Sequence, residues 1–217
     1  IKSIYTSAIN SVCIIDVQNN IFIHGGMNDI SNKFEIMPYF KENNINDIDF
    51  ISDGISGSCT IFMNKGNHKM YGFGKCEPYF DETKENIPVI LDTKIFTGKI
   101  TKISGGSSHV IFLDDNGKVW VAGNNIKGQC GAGTFSKKIE KPKRIGSLTD
   151  IIDIECGDEY TICINNKYAL FGFGCNEFGQ IGDGHMSAGT NIHFPTKMST
   201  FATSEVNIIK VKCGKRH

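Results

Sequence analysis

The sequence lacks several things that would assign it a chemistry. It has no Cys-x-x-Cys pair among its eight cysteines, a single tryptophan (Trp120), and no net charge, 23 Lys+Arg balancing 23 Asp+Glu over 217 residues. Without Cys-x-x-Cys a zinc ribbon or thioredoxin-like centre is excluded. A charge of zero gives no support for a domain built to neutralise phosphates, which carries a strongly basic face. No apolar run approaches the roughly 18–20 residues of a membrane-spanning helix. There is no Asn-x-Ser/Thr sequon, and no signal peptide is expected at Ile1. The cysteines, several inside strand-like runs, are therefore expected to be buried free thiols of an intracellular protein, nuclear or cytoplasmic.

What the chain has is self-similarity. Gly25, Gly74, Gly123 and Gly174 each end a β-branched or aromatic run and are 49, 49 and 51 residues apart. Seventeen residues before them stand Ala8, Gly57, Gly106 and Gly157, and Gly214 opens one more unit that stops at His217. The expected units are 1–45, 46–95, 96–147 and 148–206, with the start of a fifth at 207–217. Each holds short strand patterns and polar turns, the clearest being HVIFL and KVWVA around Asp114–Gly117, where Asn-Gly supplies positive φ. In Ile151–Cys156, Ile152, Ile154 and Cys156 are expected on one face, Asp153 and Glu155 on the other. Residues 27–40 read as loop, and 47–58 alternate too poorly to place a strand. Pro38, Pro88, Pro142 and Pro195 are expected where the chain leaves one strand set for the next. No helical period exceeds two turns. Four short strands per repeat at this period make an all-β chain of β-propeller blades, each needing neighbours to bury its faces.

Particular residues carry a family resemblance. Ile103–His109 (ISGGSSH), Asp115–Asn125 (DNGKVWVAGNN) and Gly128–Gly133 (GQCGAG) resemble the repeat of the regulator of chromosome condensation family. Cys156–Tyr160 with Gly172–Gly184, and Lys212–His217, are similar to further copies; the first two units lack the Gly-Gln-x-Gly-x-Gly loop. The resemblance implies a seven-bladed propeller, of which four units and a start form part. It implies a non-enzymatic protein-interaction module or, alternatively, a guanine-nucleotide exchange factor for a Ran-type small GTPase. Neither reading requires a cofactor. The family's ultraviolet-B photoreceptors use clustered tryptophans, which a lone Trp120 does not provide.

The glycine-rich loops precede no Gly-Lys-Ser/Thr, so they read as tight turns with close backbone approach, not phosphate cradles. The slot three residues after each unit's first glycine holds His109, Tyr160 and His217, with Thr60 in unit two. Such exchange suits a buried hydrogen bond and not a catalytic base. His24, His68, His185 and His193 form no ligand pattern, no Gly-x-Ser-x-Gly elbow occurs, and no catalytic or metal site is assigned. Lys137, Lys138, Lys141, Lys143 and Arg144, expected in the loop between units three and four, form the one dense cationic run. It could meet DNA or an acidic partner, or be a solvated loop.

Overall fold

Each unit turns on one Asx side chain. In unit three Asp114 Oδ1 accepts the backbone N–H groups of Asn116 and Lys118 at 2.9 and 3.0 Å. Asn165 does the same for Lys167 and Ala169, and Asp16 for Gln18 and Asn20. The turn then needs one left-handed residue, supplied by Asn19 (φ 61°), Gly117 (φ 69°) and Tyr168 (φ 60°). Asn116 has no positive φ, so the unit-three hairpin is a three-residue loop with Gly117 left-handed, not the two-residue Asn-Gly turn.

The computed structural model describes residues 1–6, 12–24, 35–53, 59–74, 76, 88–133, 136–184, 190–198 and 207–217. These form four antiparallel four-stranded meanders. The first comprises β1 (Ser3–Thr6), β2 (Val12–Ile15), β3 (Ile21–His24) and β4 (Glu35–Met37), followed by one helical turn, α1 (Tyr39–Glu42). The second is β5 (Ile48–Asp53), β6 (Cys59–Asn64), β7 (Met70–Gly74) and β8 (Val89–Ile90). The third is β9 (Ile100–Gly105), β10 (His109–Asp114), β11 (Val119–Asn124) and β12 (Lys138–Arg144). The fourth is β13 (Ile151–Cys156), β14 (Tyr160–Asn165), β15 (Leu170–Gly174) and β16 (Ile192–Lys197). β5 packs against β9 and β9 against β13, so first strands converge while fourth strands lie outermost.

The cores lie between the sheets. Val110 and Phe112 of β10 pack with Ile61, Met70 and Phe96 towards sheet two, while Ile111 and Leu113 pack with Ile154, Cys163 and Phe173 of sheet four. Every residue of β10 is thus buried, which is why it reads as a continuous apolar run and not an alternation. One sheet on its own would expose both of these faces.

Several expectations are corrected. The stretch 27–40, read as loop, holds β4 and the start of α1. The stretch 47–58 contains β5, whose alternation is broken by a bulge between Phe50 and Ser52. A bulge between Ile151 and Asp153 likewise turns Ile152 out to 44% exposure, away from Ile154 and Cys156. Pro142 and Pro195 lie inside β12 and β16, not between units; as outermost strands these have one side free of ladder bonds and tolerate a missing N–H. Gly25 and Gly57 lie outside the described residues.

Candidate functional site

The repeat glycines and the ring residues three positions on fit one another as a seam between neighbouring sheets. A Cβ on Gly106 would stand 2.3 Å from the His109 ring and 2.5 Å from the Gly157 carbonyl. Gly157 and Gly214 are overlaid in the same way by the rings of Tyr160 and His217. Each ring folds back over its glycine, and those of His109 and Tyr160 reach forward to the next unit. His109 Nε2 meets Thr161 Oγ1 at 2.9 Å in sheet four, and Tyr160 donates its hydroxyl to the carbonyls of Gly214 and His217 in the fifth unit. Burial drops the His109 imidazole to a pKa of about 4, so it is neutral at physiological pH. The glycines ending each third strand, Gly74, Gly123 and Gly174, have φ of 87°, 121° and 112°.

In unit two the ring slot is filled differently. The β6–β7 register sets Cys59, not Thr60, opposite Gly74, because the Asn64 hairpin holds one extra residue. Cys59 is cross-linked to Cys76, their Cα atoms 4.7 Å apart. The expectation of eight free thiols is thereby corrected to six. The reason is positional: the chain turns at the left-handed Gly74 and carries Cys76 back beside the residue paired with that glycine. Of the rest, Cys156 donates its thiol to the Ser104 carbonyl at 3.3 Å across the seam, and Cys213 repeats this more loosely towards Glu155. Burial pushes the Cys130 and Cys213 thiols up to about 12 and those of Cys156 and Cys163 up as well.

The glycine-rich loops bond within themselves and to the next sheet. Asn125 Oδ1 accepts the N–H of Cys130, and Asn176 Oδ1 that of Ile181. Gly128, Gly131 and Gly133 all have positive φ, and a Cβ on Gly131 would strike the Phe173 ring at 2.7 Å. Gln129 offers its carbonyl to Thr161 Oγ1 at 2.9 Å. Lys127 reaches Glu177 at 2.7 Å, raising the lysine and lowering the glutamate, and Arg216 lies over the Phe178 ring at 4.7 Å.

On the first strands, Lys102 binds Asp153 and Glu155 (3.3 Å), and Lys212 reaches Glu155 at 2.7 Å. A polar cleft of about 470 Å³ opens between sheets two and three beside His68, Lys99 and Asp115. Its polar groups are committed locally, His68 Nδ1 to the Ile100 carbonyl and Asp115 Oδ1 to the Lys99 N–H.

The cationic run is corrected from loop to strand. Lys138, Lys141, Lys143 and Arg144 lie on β12, with Lys137 just before it, and all five are exposed, while Ile139 and Pro142 are buried. Sequence reading missed the Asx residues that close the hairpins and the Gln129–Thr161 contact. Asp16, Asp114 and Asn165 each stand nine residues before a repeat glycine, a spacing that could have revealed them.

Comparison with known proteins identifies the repeat. Regulator of chromosome condensation (RCC1) repeats match residues 116–164 and 169–217, and a second RCC1 repeat profile matches 100–129; together they cover more than half of the chain. Protein RCC2 of Homo sapiens is 34% identical over 90 residues, 40% of this chain and 17% of that protein. The X-linked retinitis pigmentosa GTPase regulator of Homo sapiens is 32% identical over 121 residues, 55% of this chain and 12% of the relative. The structure superimposes on yeast RCC1 (Prp20), solved bound to Kap60, with a TM-score of 0.76 at 22% identity, over 98% of this chain and 51% of that one. Human WBSCR16 gives 0.73 at 21%, over 94% and 53%. The chain thus spans about half of these solved propellers and a smaller share of the two curated relatives. It belongs to the regulator of chromosome condensation family and folds as part of a β-propeller.

Proposed function

We propose that this propeller is a non-enzymatic protein-interaction module whose partners contact its loops and outer strands. One observation carries the reading. Among the described residues, the reactive side chains at the repeat seams, His109, Thr161, Tyr160 and Cys156, are spent on bonds between neighbouring units. The groups left facing outward are charged and apolar side chains that differ from unit to unit, such as Ile126, Phe178 and the β12 cations. Similar propellers are described with protein partners: yeast Prp20 with Kap60, and Prp20p with Gsp1p and histones.

That binding of Gsp1p favours a second reading, nucleotide exchange on a Ran-type small GTPase. Exchange would need no cofactor on the propeller, only loops that deform the GTPase's phosphate and Mg²⁺ contacts.

Cross-linking mass spectrometry on the full-length protein with its captured partners tests the module reading. Cross-links from exposed lysines such as Lys137, Lys143 and Lys167 to a partner are expected. Partner cross-links confined to regions outside the propeller would overturn it.

A further inference from the structure

The outermost strands of the four sheets are not alike. β4 and β8 carry no cation and β16 carries one, Lys197. β12 carries Lys138, Lys141, Lys143 and Arg144 in seven residues, with Lys137 immediately before. Gatekeeping lysines against edge-to-edge pairing would be wanted on every outer strand. The position in the fold therefore does not explain why this one strand is so basic.

Lys137, Lys143 and Arg144 have no acidic partner among the described residues, although Lys102, Lys127 and Lys212 are paired across the seams. Among the described residues β12 pairs with β11 alone. The Ile145 N–H turns towards β11, so the backbone groups of Arg144 face away from it. Pro142, buried in the middle of the strand, has no N–H to give. A complete backbone ladder along this edge is thereby blocked, and recognition falls to the side chains.

We infer that the outer edge of β12 docks an acidic, extended segment of a partner protein, held by Lys137, Lys143 and Arg144 with Lys138 and Lys141 alongside. The inference rests on the interaction-module reading and gives it a place and a chemistry. Seven residues at about 3.3 Å each make an edge of roughly 23 Å, which an acidic run of similar length spans. The chain's zero net charge favours a protein over nucleic acid, which asks for a strongly basic face. Because the contacts are solvated charge pairs, binding weakens steeply with salt.

The test is fluorescence anisotropy of a labelled Asp/Glu heptapeptide against the full chain at about 50 and about 300 mM salt. The comparison is with the double variants Lys143→Glu/Arg144→Glu and Lys143→Gln/Arg144→Gln, both at exposed positions that leave the cores untouched. Expected are binding at low salt, loss at high salt, a drop of about tenfold or more on charge reversal, and an intermediate drop on neutralisation. No binding at low salt, or equal affinity of the reversed variant, overturns the inference. So does tighter binding of a DNA oligomer of equal charge. Cross-linking of natural partners by the same reversed variant separates the two readings. If partners still cross-link to other propeller lysines, the module reading stands while the β12 site falls.

Discussion

His109 Nε2 lies 2.9 Å from Thr161 Oγ1, and that same hydroxyl donates to the Gln129 carbonyl 2.9 Å away. A hydroxyl has one proton to give, so the bond to His109 must be accepted from Nε2–H. The contact fixes the imidazole as the neutral Nε2–H tautomer and ties sheet three to sheet four at two points. It is a joint and not a catalytic relay.

A pH dependence follows. The native imidazole titrates near 4, against 6.5 for an ordinary histidine. The unfolded chain therefore binds the proton first as pH falls. The contribution to stability is full above pH 6.5 and is lost progressively as pH falls towards about 4, with a ceiling of roughly 3 kcal/mol. Urea unfolding between pH 7 and pH 4 is expected to show this slope in the wild type and a shallower one in His109→Gln. Equal slopes would mean that His109 is not the titrating group.

Gly157→Ala is expected to cost about 1–3 kcal/mol, seen as a lower Tm, because the new Cβ would overlap the Tyr160 ring that lies across the glycine. The ring cannot swing away without giving up its hydroxyl bonds to Gly214 and His217. An unchanged Tm would show that the ring has somewhere else to go.

Much of this was legible in the sequence. The period was readable because positive-φ positions such as Gly74, Gly123 and Gly174 accept almost nothing but glycine, so the repeat keeps them while other residues vary. The alternation of Asp153 and Glu155 was readable too, but not the bulge that turns Ile152 outward, since a bulge adds a residue without a fixed sequence mark. The Cys59–Cys76 link was hidden by a one-residue longer hairpin at Asn64, which shifts the slot from Thr60 to Cys59. β12 was hidden because its exposed side chains read as a polar loop; only Ile139 and Pro142 face inward. Partner identity depends on exposed loops and edges, where the fold imposes no residue.

Tyr168 fills the left-handed turn position at φ 60°, which costs a bulky L-residue about 1–2 kcal/mol. Asn19 and Gly117 fill the same position in units one and three. Tyr168→Gly is expected to raise stability by about 0.5–1 kcal/mol in denaturant unfolding, part of the relief being returned as chain entropy. Destabilisation instead would mean that the half-exposed ring packs usefully.

Lys102→Met leaves Asp153 with only the Val211 N–H at 3.4 Å and Glu155 with the more solvated Lys212, although their side chains are 11% and 12% exposed. A loss of about 1–3 kcal/mol is expected. A variant as stable as wild type at pH 7 would contradict the role given to the network.

Thiol counting checks the cross-link. Unfolded without reductant, the chain is expected to expose six alkylatable thiols, and with reductant all eight. While folded, Cys130, Cys156 and Cys163 are expected to react slowly, burial having raised their thiols well out of the reactive range. Eight thiols without reductant would show Cys59 and Cys76 to be unlinked.

The most direct measurement is release of a fluorescent GDP analogue from a Ran-type GTPase, with the full-length protein added at catalytic amounts and Mg²⁺ held constant. An interaction module leaves the intrinsic release rate unchanged. Acceleration by several orders of magnitude would contradict the non-enzymatic reading and establish an exchange factor.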